Sequence, residues 1–256
     1  MHKRATGRIA GLIAAVVFVI VIIGYLYLSN YYHADASALS ILSAGNGNAA
    51  ASGEENAAVS GNGTVTISEN EQGLFLDGPG TEDALIFYPG GKVEYTAYLP
   101  LLNRLAKGGL DCFLTEMPGN LAILDMDRAE DVMAAYSYDH WYLGGHSLGG
   151  AAAAMYAAGA DVTPDGLILL AAYPAKQLPD MKVLELYGSE DAVLNRERLE
   201  KTGKNLPADA VVWEIPGGNH AQFGNYGFQE GDGTASIPAE VQQEITKEMI
   251  LKMLEN

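Results

Sequence analysis

Cysteine is nearly absent from this chain: Cys112 is the only one in 256 residues, so no internal disulfide can form. It lies in the apolar run Cys112-Phe113-Leu114 and reads as a buried, inert thiol. Basic residues are also few, 15 Lys and Arg against 32 Asp and Glu, giving a formal charge of −17. Such a balance argues against nucleic acid or an anionic lipid surface as partner, because both need clustered cations. The five histidines, His2, His33, His140, His146 and His220, are scattered without metal-ligand spacing, so no metal is expected. No Gly-x-Gly-x-x-Gly follows a strand, and Gly91-Lys92 lacks the rest of a phosphate loop. Nucleotide cofactors are therefore not expected either, and no internal repeat is visible.

Charge is missing altogether between Ile9 and Leu28, a run of twenty residues. At about 1.5 Å per residue this length matches a hydrocarbon layer of roughly 30 Å. Residues 9–29 are accordingly expected to form a transmembrane signal-anchor, with Tyr25, Tyr27, Tyr31 and Tyr32 at its outer interface. Lys3, Arg4 and Arg8 precede it, and no Lys or Arg follows until Lys92, so residues 1–8 are expected in the cytoplasm and the remainder outside. A cleaved signal peptide, cut near Ala34-Asp35-Ala36, and hence a secreted protein, is the alternative. Residues 43–63 are almost entirely Ser, Ala, Gly, Asn and Glu, too poor in apolar surface to fold, and the expected flexible linker is 30–63.

The domain expected over 64–256 alternates β-like and helix-like runs. Strand patterns at 64–67, 74–76, 84–88, 113–115, 141–143, 166–170, 183–187 and 211–215 include several continuous apolar stretches, as in strands covered on both faces. Helix-like patterns at 95–107, 121–136, 151–158, 195–205 and 238–254 separate them. An α/β fold with a mostly parallel sheet and helices on both faces follows.

Within that alternation, Gly145-His146-Ser147-Leu148-Gly149 stands directly after an apolar strand and directly before the Ala-rich 151–158. Gly-x-Ser-x-Gly in this context places a serine on a sharp strand-to-helix turn, with glycines where the turn is crowded. A serine hydroxyl needs a base, and histidine titrates in the useful range. His2 and His33 flank the apolar span, His140 opens its strand at the far end of the sheet, and His146 adjoins the serine with its side chain expected elsewhere. His220, in Pro216-Gly-Gly-Asn-His220 just past the last strand, remains. The base needs a carboxylate to fix its tautomer, and Tyr187-Gly-Ser-Glu-Asp191 supplies Asp191, with Glu190 as competitor. Two N–H donors are needed for the oxyanion: Leu148 after the serine, and Gly91 or Lys92 in Tyr88-Pro-Gly-Gly-Lys92.

With these elements the chain resembles the α/β-hydrolases, close to the small carboxylesterase and dienelactone-hydrolase-like branch. The resemblance spans residues 74–254 through Tyr88-Pro-Gly-Gly91, Gly145-His-Ser-Leu-Gly149, Gly188-Ser-Glu-Asp191 and Gly218-Asn-His220. The first departs from the family's usual His-Gly pair, which bears on the second oxyanion donor more than on the triad. Only a short stretch, 174–182, joins two strands where many members carry a lid, so an open site is expected. Met117, Tyr173 and Phe223 are expected to line it, with Asn120 and Tyr226 also on loops at the same edge. The resemblance implies a serine esterase acting on a small ester-like substrate without a cofactor. The alternative is an inactive hydrolase-fold protein serving as a binding or scaffold module at the cell surface.

Overall fold

The computed structural model describes residues 15–19, 21–24, 26–42, 65–160 and 162–255, which belong to two compact units, Met1–Tyr31 and Tyr32–Asn256. In the first, residues 15–19, 21–24 and 26–29 are helical. Among the described residues no helix is long and apolar enough to cross a membrane. Residues 9–14, 20 and 25 of the expected 9–29 span, and residues 43–63 of the expected linker, lie outside the described residues.

The second unit carries an eight-stranded sheet in the order β1-β2-β4-β3-β5-β6-β7-β8. Strands β1 (Thr66–Asn70) and β2 (Gly73–Asp77) form an antiparallel hairpin at one edge. From β4 (Asp111–Thr115) onward, through β3 (Asp83–Tyr88), β5 (His140–His146), β6 (Gly166–Leu170), β7 (Lys182–Gly188) and β8 (Val211–Ile215), every pairing is parallel. Parallel strands must be joined by crossovers, and the helix-like runs supply them. These are α1 (Leu99–Lys107), α2 (Arg128–Ala135), α3 (Leu148–Ala157) and α4 (Arg196–Thr202), while α5 (Ala239–Leu254) follows β8.

The sheet separates two apolar clusters. On one face Leu85, Phe87, Leu170 and Leu186 meet α1 and α5 through Leu101, Leu102, Leu105 and Ile250. On the other, Ala84, Ile86, Leu143 and Leu169 meet α2 and α3 through Val132, Ala152 and Ala153. Cys112 is buried in the first cluster, and burial pushes its thiol well above the ordinary range. Residues 171–181 run from β6 to β7 without a helix.

The expected linker 30–63 needs correction at its start, because residues 32–42 belong to the folded body. Tyr32 bridges Val93, its N–H donating to the Lys92 carbonyl at 2.7 Å and its carbonyl accepting from Glu94 N–H at 2.8 Å. Asp35 Oδ1 accepts from the Ser37 and Ala38 N–H groups, starting a short helix over 36–42. Ala38 is fully buried, and Ile41 and Leu42 pack against the first cluster, so this segment has the apolar contact that 43–63 lacks in composition.

Candidate active site

All parallel strands end on the same side, and backbone strain gathers there. Among the described residues, the non-glycine ones with positive φ are Lys92, Asn120, Ser147 and Ala171, at 59°, 57°, 52° and 48°. They follow β3, β4, β5 and β6 in that order, so the loops at one edge of the sheet hold conformations that cost about 1–3 kcal/mol each. Ser147 is the N-cap of α3, at φ 52° and ψ −119°. Its flanking glycines are dictated by space: a Cβ on Gly145 would lie 2.6 Å from the Gly149 carbonyl carbon, and one on Gly149 2.2 Å from the Tyr88 oxygen. The turn is thus wedged between β3 and β5, and the serine projects from its apex.

His220 follows β8 and is 1% exposed. Its Nδ1–H donates to Asp191 Oδ2 at 2.8 Å. Asp191 is held in turn through Oδ1, which accepts the N–H groups of Val193 at 2.9 Å and Leu194 at 2.8 Å. Both carboxylate oxygens are occupied, so the histidine is fixed in the tautomer with Nε2 as acceptor. That Nε2 is buried and has no partner among the described residues. Glu190, the competing acid, is exposed and accepts a hydrogen bond from the Ser189 hydroxyl instead. His140, at the opposite end of β5, faces Asp165 at 3.7 Å.

One supporting acid escaped sequence reading. Asp232 accepts from His220 N–H at 3.3 Å and from Ala221 N–H at 2.9 Å, clamping the histidine loop. Only the turn-like Gly231-Asp-Gly233 hints at it. Gln242 of α5 adds two bonds to the Asn219 backbone, at 3.0 and 2.9 Å.

Leu148 N–H opens α3, where a helix has no internal acceptor. Gly91 abuts it: a Cβ there would be 2.7 Å from Leu148 Cδ2. The Lys92 N–H is already committed to the Asn120 carbonyl at 2.8 Å, which leaves Gly91 as the donor available from this loop. The preceding glycine is held by a polar chain that sequence alone did not reveal. Gly90 N–H donates to the Tyr98 hydroxyl at 3.0 Å, and that hydroxyl donates to His146 Nδ1 at 2.8 Å. His146 is therefore not directed away from the site, since its ring lies 4.6 Å from that of His220. Burial first, and the neighbouring His220 second, hold His146 well below the usual histidine range, with the His220 backbone acting in the opposite sense. His146 is neutral near pH 7, so no fixed cation opposes a positive charge on His220.

Ser147 and His220 border one cavity of about 410 Å³, whose walls include Leu148, Tyr173, Val193 and Arg198. Of the three residues expected to line it, Tyr173 does. Met117 is 3% exposed within the second apolar cluster, and Phe223 is fully buried against His146 at 5.6 Å. Both are core residues, because their loops turn inward beneath the sheet edge. Asn120 joins the strained loop contacts described above, while Tyr226 packs against Tyr32 with ring centroids 5.6 Å apart and the planes tilted by 47°. Among the described residues no group of His, Cys, Asp and Glu is arranged to hold a metal ion.

The strand order and the serine turn are those of an α/β-hydrolase. The Alpha/beta hydrolase family model matches residues 84–244, and the chain belongs to that family. No curated protein matches it in sequence. Among solved structures it is similar to a CIB-like hydrolase from Thermoplasma acidophilum, with 15% identity, TM-score 0.57 and coverage of 74% of this chain and 100% of that one. A dienelactone hydrolase from Anabaena variabilis gives 16%, 0.53, 74% and 96%. Est1E from Butyrivibrio proteoclasticus, solved with ferulic acid, gives 15%, 0.54, 75% and 96%. The likeness at these identities is one of fold.

Proposed function

We propose that this hydrolase-fold protein is a serine hydrolase that cleaves a carboxylic ester or related acyl bond through an acyl-enzyme. The observation that carries the reading is the Asp191–His220 hydrogen bond of 2.8 Å, with His220 bordering the same cavity as the strained Ser147. His220 Nε2 takes the Ser147 Oγ proton as Oγ attacks the substrate carbonyl. The Leu148 and Gly91 N–H groups receive the oxyanion, and their fixed positions mean no reorganisation at that moment. The tetrahedral intermediate collapses, its carbonyl–oxygen bond breaks, and the leaving alkoxide takes the proton from His220. Water then attacks the acyl-enzyme, giving a proton to His220; the second tetrahedral intermediate collapses, the acyl–Oγ bond breaks, and Oγ takes that proton back from His220 as the acid leaves and Ser147 is restored. Asp191 orients His220 throughout and stabilises its transient charge.

The reading includes attachment to a membrane through residues 9–29, with the hydrolase unit on the outer side. It is supported by the uncharged run and by Lys3, Arg4 and Arg8 before it. Labelling intact cells with a membrane-impermeant fluorophosphonate tests chemistry and sidedness together. Labelling that disappears in Ser147→Ala is expected; labelling of lysate but not of intact cells contradicts the topology, and no labelling of either contradicts the activated serine.

A further inference from the structure

The cavity beside Ser147 has one charged wall. Arg198, on α4, borders it together with small and apolar groups such as Ala151, Ala172, Val193 and Leu194. Although the chain holds 32 Asp and Glu, none of them lines this cavity. The other cations of α4 are engaged. Arg196 is bound to Glu214 at 2.9 Å and to the Gly188 carbonyl at 2.7 Å, and lies over the Tyr187 ring. Lys201 is paired with Glu197 at 2.5 Å. The Arg198 guanidinium has no hydrogen bond or ion pair among the described residues. Its backbone, by contrast, is fixed: Arg198 N–H donates to the Asn195 side chain at 2.9 Å, setting the first turn of α4 against the cavity.

Resting on the serine-hydrolase reading above, we propose that Arg198 is a substrate-binding residue, and that the enzyme's substrates are acyl esters bearing a second, anionic group, a carboxylate or a phosphate. A guanidinium offers paired N–H donors that match either anion. In a strongly acidic protein, an unpaired arginine in a carboxylate-free cavity supplies the local field that such a substrate needs, against a net charge that would otherwise repel it. Arg198 is exposed, and solvent screening limits the effect to about one charge-assisted hydrogen bond, or roughly tenfold in kcat/KM.

The experiment compares matched esters in the full-length protein. With the charge on the acyl side, mono-nitrophenyl succinate and glutarate are set against nitrophenyl butyrate; with it on the leaving group, acetoxybenzoate is set against its methyl ester. The anionic member of at least one pair is expected to be preferred. That preference should fall about tenfold in Arg198→Gln, through KM rather than kcat, with partial recovery in Arg198→Lys. Inhibition by free succinate and by inorganic phosphate, each lost in Arg198→Gln, then tells carboxylate from phosphate. Ratios identical in wild type and Arg198→Gln for both pairs overturn the proposal while leaving the hydrolase reading intact. Absence of any Ser147-dependent turnover would instead overturn that reading.

Discussion

The Tyr98 hydroxyl joins His146 Nδ1 at 2.8 Å and the Gly90 N–H at 3.0 Å, so one buried side chain ties the residue before the serine to the loop that offers Gly91. Burial pushes the Tyr98 phenol upward in pKa, with the Gly90 N–H working against it, so it stays a donor at any pH the protein meets. Tyr98→Phe leaves Gly90 N–H and His146 Nδ1 unpaired. The expected cost is about 1–3 kcal/mol in stability and roughly tenfold in kcat, the latter from a looser oxyanion loop. Denaturant melts and steady-state kinetics on one neutral ester check both, and an unchanged kcat counts against the positioning role.

Asp191 and Asp232 serve His220 differently, one at its ring and the other at its backbone. Asp191→Asn is expected to lower kcat by about 10⁴, following the serine-protease precedent. Asp232→Asn weakens the clamp on the loop and is expected to cost roughly tenfold, with lower stability. Glu190→Gln should change little. A larger loss from Glu190→Gln than from Asp191→Asn would reverse the acid assignment.

Residues 32–42 bind both loops of the site. Tyr32 pairs with Lys92 and Glu94, and Asp35 N–H donates to the Asn225 carbonyl at 2.8 Å. Tyr32→Ala in the full chain is expected to speed amide hydrogen exchange at Glu94 and neighbouring residues and to lower kcat severalfold. Exchange rates equal to wild type would show that this strap does not hold the loop.

Glu185 is 2% exposed in the middle of β7, between Leu169 and Val212, and burial raises its pKa from 4.5 to about 8. The folded state therefore holds this proton more tightly than the unfolded chain. Its contribution is most favourable below about pH 4.5 and is progressively lost as pH rises toward 8. Glu185→Gln should be more stable than wild type by a margin that widens over that interval and then levels off. Urea midpoints at about pH 5 and about pH 8.5 measure it; a margin that does not grow with pH contradicts the account.

The strands were legible because apolar runs such as Ala84–Tyr88 and Gly166–Leu170 report burial on both faces directly. The Ser147 turn was legible because crowding admits only glycine at 145 and 149. What escaped depends on contacts remote in sequence: Asp232 meeting His220, Tyr98 meeting His146, and Tyr32 meeting Val93. Met117 and Phe223 differ from expectation for the same reason, since an apolar residue on a loop can turn into the core or toward a cavity, and local pattern does not distinguish the two. Residues 32–42 read as linker in sequence because the polar composition of 43–63 masks the short apolar set Ala38, Ile41 and Leu42 beside it.

The central claim is an activated serine at position 147. Purified wild type and Ser147→Ala are to be compared on a short-chain nitrophenyl ester, with a pre-steady-state burst recording the acyl-enzyme. Turnover and burst in the wild type, both lost in Ser147→Ala at unchanged thermal stability, are the predicted result; equal turnover by the two proteins would contradict it.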